Sequence, residues 1–206
     1  PETAPERVDL SGGFTLAEKL DGSLVSPLLL GEDLRWATKS ELVPAVAEFA
    51  RQAAYETLKA CDYETFSRLW IGRGYTPLFE WCDTGVLVGA IEHSEQRLVL
   101  LAVRHRVAGH CLPAADLAAT ATQHGIPLAR QPSPSDLGLP SPARVEDVMA
   151  AAAGMEGEEG LVLSLADGRM LKAKSDWYVS CSSAQRRGGR QNTAFLLELL
   201  RGNEQT

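Results

Sequence analysis

The segment Phe14-Thr-Leu-Ala-Glu-Lys19-Leu-Asp21-Gly22-Ser23-Leu24 constrains this chain more than any other, because it sets one lysine in an apolar run and follows it at once with Asp-Gly-Ser. Phe14, Leu16, Leu20 and Leu24 predict a partly buried strand, and Asp21-Gly22 is a turn signal. An ammonium placed among apolar side chains is disfavoured in its charged form. A deprotonated lysine is in turn a nucleophile for phosphorus or a carbonyl carbon. The start of the chain therefore predicts a reactive amine carried by a sheet.

The rest of the chain is written in antiparallel hairpins and a few helices, an α+β pattern. Residues 26–30, 31–33 and 34–39 read as strand, turn and strand. Apolar residues at helical spacing from Val43 to Leu58, after Ser40 as N-cap, predict a helix over 41–58. Runs at 75–80, 86–91 and 98–104, parted by Asp83-Thr84-Gly85 and Ser94-Glu95-Gln96, predict a meander. The Ala-rich stretch 114–124 ends at Gly125-Ile126-Pro127, a helix with a glycine stop. Prolines across 131–142 remove backbone donors and fix φ, so this stretch is a surface loop. A short helix at 145–155 precedes a second hairpin, 160–165 with 170–174 around Asp167-Gly168, and a last helix begins at Thr193.

At 206 residues, with 45% hydrophobic and 23% charged, the chain suits one globular domain with a sizeable core. No apolar run approaches the roughly 20 residues that span a bilayer, and the first seven residues contain no apolar signal core, so a cytoplasmic location is expected. Cys61, Cys82, Cys111 and Cys181 are widely spaced, which points to reduced thiols. A net charge of −7 argues against wrapping long nucleic acid, but it leaves room for a local basic cluster that grips one strand end. Because Pro1 stands where an initiating Met would, an excised domain or processed product is expected.

Two later segments give the Lys19 motif a context: Phe79-Glu80-Trp81, and Glu159-Gly160-Leu161-Val162 followed by Lys172-Ala-Lys174-Ser175-Asp176-Trp177-Tyr178. The order Lys-x-Asp-Gly, Phe-Glu, Glu-Gly-x-Val, Lys-x-Lys resembles the covalent nucleotidyltransferases, the polynucleotide ligases and capping enzymes. The closer details at 19–26 and 172–180 resemble the phage-type RNA ligase 1 family, over about residues 14–183. The resemblance implies a nucleotidyltransferase (ligase adenylation) fold, with antiparallel sheets flanked by helices around a nucleotide pocket. It also implies an adenylation domain over 1–185, with 186–206 a basic loop and the start of a C-terminal helix.

By the same resemblance Lys19 is the nucleophile that forms lysyl-AMP from ATP with Mg²⁺ or Mn²⁺, and AMP then passes to an RNA 5′-phosphate that a 3′-hydroxyl seals. Asp21 and Gly22 make the tight turn that brings backbone N–H groups to the nucleotide. Lys172 and Lys174, two apart on a strand, point to one face, and the resemblance sets them on the α-phosphate. It assigns Glu80 to the ribose, Glu159 to the metal and phosphates, and Lys39 to a further phosphate contact. RNA ends are the partners this implies.

Other residues keep two readings. Trp36, Trp81 and Trp177 are either adenine-stacking residues or core, and Arg186-Arg187-Gly-Gly-Arg190 is either an RNA contact or a solvated loop. His105, His110 and Cys111 lack the fourth ligand and spacing of a zinc site. Relatives carry an arginine well upstream of the lysine, whereas only Arg7 precedes Lys19 here, and where they have an Arg and a Tyr this chain is aliphatic over 86–91. There is no room after Ser183 for the helical C-terminal domain of some relatives. Two alternatives to an RNA ligase follow: a DNA ligase or capping-type transferase, and a non-catalytic module that binds RNA ends.

Overall fold

The computed structural model describes residues 8–38, 62–84, 91, 93–166 and 169–183. The predicted helix over 41–58, most of the strand at 86–91, Lys39, the basic tract at 186–190 and the C-terminal helix lie outside those residues.

Among the described residues, seven strands form two antiparallel sheets. β1 (Phe14–Glu18), β6 (Gly160–Leu165) and β7 (Met170–Lys174) make a three-stranded sheet in the order β1-β6-β7, and β2 (Ser23–Leu30), β3 (Asp33–Thr38), β4 (Tyr75–Cys82) and β5 (Arg97–His105) make a four-stranded one in the order β3-β2-β4-β5. The helices are α1 (Tyr63–Gly72), α2 (Ala114–Gln123), α3 (Val145–Ala153) and α4, residues 176–183. This is the α+β arrangement the sequence predicts.

One expectation is corrected. The Lys19 segment is not a single strand with a hairpin turn: β1 pairs with β6, while β2 pairs with β3 and β4. Residues 19–22 carry the chain from one sheet to the other, and Leu24 is exposed rather than buried. The Asp-Gly pair supplies a change of direction, but the strands it joins find better partners elsewhere, because each sheet must bury its own apolar face.

Those faces are covered differently. The four-stranded sheet packs Val25, Trp36, Phe79, Trp81, Leu98, Leu100 and Val103 under α1, which contributes Tyr63, Phe66 and Trp70. Aromatic rings crowd round Phe79, with Trp36, Tyr63 and Phe66 at 5.4, 5.7 and 6.1 Å between centroids. The three-stranded sheet packs Leu16, Leu161, Leu163, Leu165 and Ala173 under α3, whose Val145, Val148 and Ala152 are small. The 131–142 stretch is a loop, as expected, and Leu137 and Leu139 tuck under this second core.

Residues 127–130 strap the sheets together. Leu100 N–H donates to the Pro127 carbonyl at 2.8 Å on one side, and Glu18 N–H donates to the Arg130 carbonyl at 2.8 Å on the other. β1, and with it Lys19, is therefore fixed against the four-stranded sheet by backbone bonds.

Candidate active site

Lys19 leaves the end of β1, its N–H held by the Gly160 carbonyl at 2.9 Å. Its Nζ lies 2.5 Å from Glu159 Oε1, and Lys174 Nζ reaches the same oxygen at 3.0 Å. The Glu159 side chain is 4% exposed, the Lys19 side chain 16%. One buried carboxylate thus holds two ammonium groups. Lys174, 45% exposed, is the solvent-facing member of the set, so its loss costs the fold little while Lys19 still balances the buried acid.

The pairing has a backbone cause. Gly160 pairs with Lys174 across β6 and β7, and its φ of 135° lies in the region that favours glycine. A Cβ there would stand 2.0 Å from the Ala173 carbonyl oxygen. The glycine lets β7 press against the turn that aims Glu159, so the Glu-Gly order is a geometric requirement. Lys172 and Lys174 share the exposed face of β7, opposite buried Ala173, as alternation demands.

Asp21 is buried and gripped from several sides. Its carboxylate accepts from the Tyr178 hydroxyl at 2.8 Å and from the Ile91 N–H at 3.0 Å, and its carbonyl meets the His93 ring. Tyr178 belongs to α4, whose start is capped by Ser175: the Ser175 hydroxyl accepts from Tyr178 N–H at 3.0 Å and donates to the Glu158 carbonyl at 2.7 Å. The Tyr178 ring also lies under Lys174 Nζ, 4.8 Å from its centroid. One tyrosine therefore ties the Lys19 loop to the Lys174 strand. Asp21 is thus a buried anchor at the point where the chain turns between the sheets.

Glu80 faces away from the core that takes Phe79 and Trp81. Burial pushes its carboxyl up to about 7, against the pull of Lys19 and Lys172 and with the repulsion of Glu159 and Asp21. These four charges surround it. Gly22 is what allows the approach: a Cβ on it would sit 2.4 Å from the Trp81 carbonyl oxygen and 3.1 Å from the Glu80 Cγ. Outside this set, Arg130 bridges the residues before Lys19 and Glu159, reaching Glu18 at 3.4 Å and Glu158 at 2.7 Å.

A cleft of about 400 Å³ lies between the sheets toward the Phe14–Leu165 end of the three-stranded sheet, away from Gly160 and Lys174, and none of the charged residues above lines it. Thr15 and Ala17, on the Lys19 face of β1, form one wall with Ser164; Leu101 and Ala102 of β5 form the other. Its size lies within the range of small-ligand pockets, about 300–1,000 Å³.

A family model described as RNA ligase matches residues 1–178. The chain belongs to this RNA ligase family. Its fold recurs in solved structures: a Naegleria gruberi RNA ligase variant with ATP and Mn matches at TM-score 0.60 and 15% identity, over 82% of this chain and 51% of that one. An archaeal ATP-dependent RNA ligase matches at TM-score 0.60 and 18% identity, over 80% and 43%. A second Naegleria gruberi variant, with AMP and Mn, matches at TM-score 0.58 and 16% identity, over 81% and 51%. The chain spans about half the length of these ligases.

Of the residues predicted from sequence, the ligase fold brings Lys19, Asp21, Gly22, Glu80, Glu159, Lys172 and Lys174 together. Lys39 lies outside the described residues. Trp36 and Trp81 are core residues, while Trp177 is half-buried. Tyr178, His93 and Arg130 were not singled out. Tyr178 stood within the Lys-x-Lys-Ser-Asp-Trp-Tyr run and was legible there; the contacts of His93 and Arg130 span 72 and 112 residues and leave no local signal.

Proposed function

We propose that this chain is the adenylylating part of an ATP-dependent RNA ligase, residues 1–185 forming that domain, and that it works in the cytosol. The observation that carries this reading is Lys19 and Lys174 converging on one oxygen of buried Glu159. Structural lysines on a solvated face have no reason to share a buried acid.

In this reading the ribose hydroxyls meet Glu80, and Lys172 and Lys174 face the α-phosphate. Lys19 parts from Glu159, loses its proton, and attacks the α-phosphorus. An N–P bond forms, the bond to the bridging oxygen breaks, and pyrophosphate leaves. The two lysines stabilise negative charge on the phosphoryl oxygens as it builds. Glu159 is an oxygen donor of the kind Mg²⁺ and Mn²⁺ take with few protein ligands and several waters. Such an ion supplies charge neutralisation for the leaving group. An RNA 5′-phosphate oxygen then attacks the lysyl-bound phosphorus and frees the amine. A 3′-hydroxyl finally displaces AMP to form the phosphodiester.

Free thiols at Cys82, Cys111 and Cys181 support the cytosolic assignment, and no helix among the described residues is long and apolar enough to cross a membrane. The test is incubation with RNA bearing a 5′-phosphate, α-labelled ATP and Mg²⁺. AMP-capped RNA, with ATP favoured over GTP and RNA over DNA ends, is the expected result. Capped DNA or a GMP adduct would move the chain to the DNA ligases or capping enzymes, and RNA binding without AMP transfer would make it an end-binding module.

A further inference from the structure

The corner of the four-stranded sheet where β4 begins and β5 ends is basic, in a chain whose net charge is −7. It is built from the end of α1 and the two chain segments 72–75 and 104–111. Arg73 lies over the Trp70 ring at 5.1 Å, Arg106 Nη2 donates to the Ile71 carbonyl at 3.0 Å, and Arg104 stands beside Gly109. His105 and His110 stack at 5.1 Å with Tyr75 edge-on to both. No Asp or Glu occurs in residues 65–79 or 97–115, which make up this corner.

Four arginines elsewhere are neutralised. Arg35, Arg68, Arg130 and Arg144 each pair with a carboxylate, whereas Arg73, Arg104 and Arg106 make no salt bridge among the described residues, and all three are exposed. Three guanidinium groups held by a ring, a carbonyl and a tight turn, yet without a counter-charge among the described residues, are pre-positioned for an external anion. The fork geometry of arginine suits phosphate.

Register gives the corner its direction. Thr76 pairs with Arg104 and Glu80 with Val99, so Arg104 lies on the same sheet face as Glu80, four residues along β4. At about 3.3 Å per residue that is roughly 13 Å. A helical strand advances about 3.4 Å per nucleotide, so the corner lies about four nucleotides from a strand end seated near Glu80.

We propose that Arg73, Arg104 and Arg106 form a contact for the phosphate backbone of the RNA whose end is joined, about four nucleotides inward. This rests on the RNA-ligase reading of the catalytic cluster. The stacked His105–His110 pair and Tyr75 brace the corner, since His105 Nδ1 accepts from the Ala108 N–H at 3.0 Å and Tyr75 Oη meets His110 Nε2 at 3.4 Å.

The test compares the chain with an R73A/R104A/R106A variant, and with R73K/R104K/R106K to restore charge, each verified by its melting temperature. Binding of 5′-phosphorylated RNAs of 3 and 12 nucleotides is followed by fluorescence anisotropy over a salt series, and lysyl-AMP formation from ATP is measured alongside. The alanine variant is expected to bind the 12-mer about 10- to 100-fold more weakly at low salt. Its salt slope falls by about two, near 0.7 per lost contact on a single strand. Binding of the 3-mer and lysyl-AMP formation stay within twofold, and the lysine variant regains most of the affinity. Equal 12-mer affinities and slopes for parent and alanine variant overturn the proposal, as does a parent chain that binds no RNA. So does loss of binding to polyglutamate with RNA binding intact, which marks protein docking instead. A parent that shows the expected RNA pattern but forms no lysyl-AMP leaves the contact standing and removes the ligase reading.

Discussion

The two sheets do different work with different materials. The four-stranded sheet is held by large rings round Phe79, and the three-stranded one by small aliphatic residues under α3. The charged cluster grows mostly from the second: Lys19 at the end of β1, Glu159 before β6, Lys172 and Lys174 on β7. The four-stranded sheet contributes Glu80. A sheet with little bulk beneath it allows the backbone to come close, as at Gly160, and closeness is what a phosphate site needs. The aromatic sheet provides the rigid surface against which that site is strapped.

This division predicts that stability and activity separate by sheet. Phe79→Ala should show the largest effect, a loss of about 3–5 kcal/mol in denaturant unfolding, because it empties the centre of the aromatic core. A loss under 1 kcal/mol would erase the contrast. Lys174→Ala should cut lysyl-AMP formation by about 10²- to 10³-fold, the size seen when one charge-stabilising donor is removed, with the melting temperature nearly unchanged. A variant that melts early and keeps its rate would reverse the roles.

Glu80 sharpens the comparison through pH. Its folded-state carboxyl is raised from 4.5 to about 7, so the native state binds more protons than the unfolded chain between those values. The stability this gives is complete below about pH 4.5 and lost as pH rises through 7. Glu80→Gln should flatten that slope and be more stable than the parent at pH 8, by up to about 3 kcal/mol. Identical pH profiles for the two proteins would show that burial does not govern this carboxyl. Tyr178→Phe should show the smallest effect, about 1 kcal/mol for the bond to Asp21, together with slower adenylylation, since it loosens the Lys19 loop without touching its charges.

Local patterns were readable. The β6–β7 hairpin, the β2–β3 hairpin and the helices at 114 and 145 follow from alternation and stop signals that lie within a few residues. The helix α1 was overlooked although Asp62 caps it through Thr65 N–H and Tyr63, Phe66, Trp70 and Ile71 recur at helical spacing. The split of the Lys19 segment between two sheets was not readable, because an Asp-Gly pair looks the same whether its flanking strands pair with each other or with residues far along the chain. The candidate site residues emerge from the order of motifs rather than from any one of them. Their shared acid emerged only in three dimensions, where Glu159 turns toward both lysines because Gly160 lets the strands close up. A lone sequence signal such as Arg104 acquires meaning from the register that lays it on the face of Glu80.

The most direct measurement is intact-protein mass spectrometry after incubation with ATP and Mg²⁺, followed by peptide mapping. The expected result is a single AMP adduct on the peptide that contains Lys19, absent in Lys19→Ala. An unmodified chain, or an adduct that persists in Lys19→Ala or maps to Lys172 or Lys174, would contradict it.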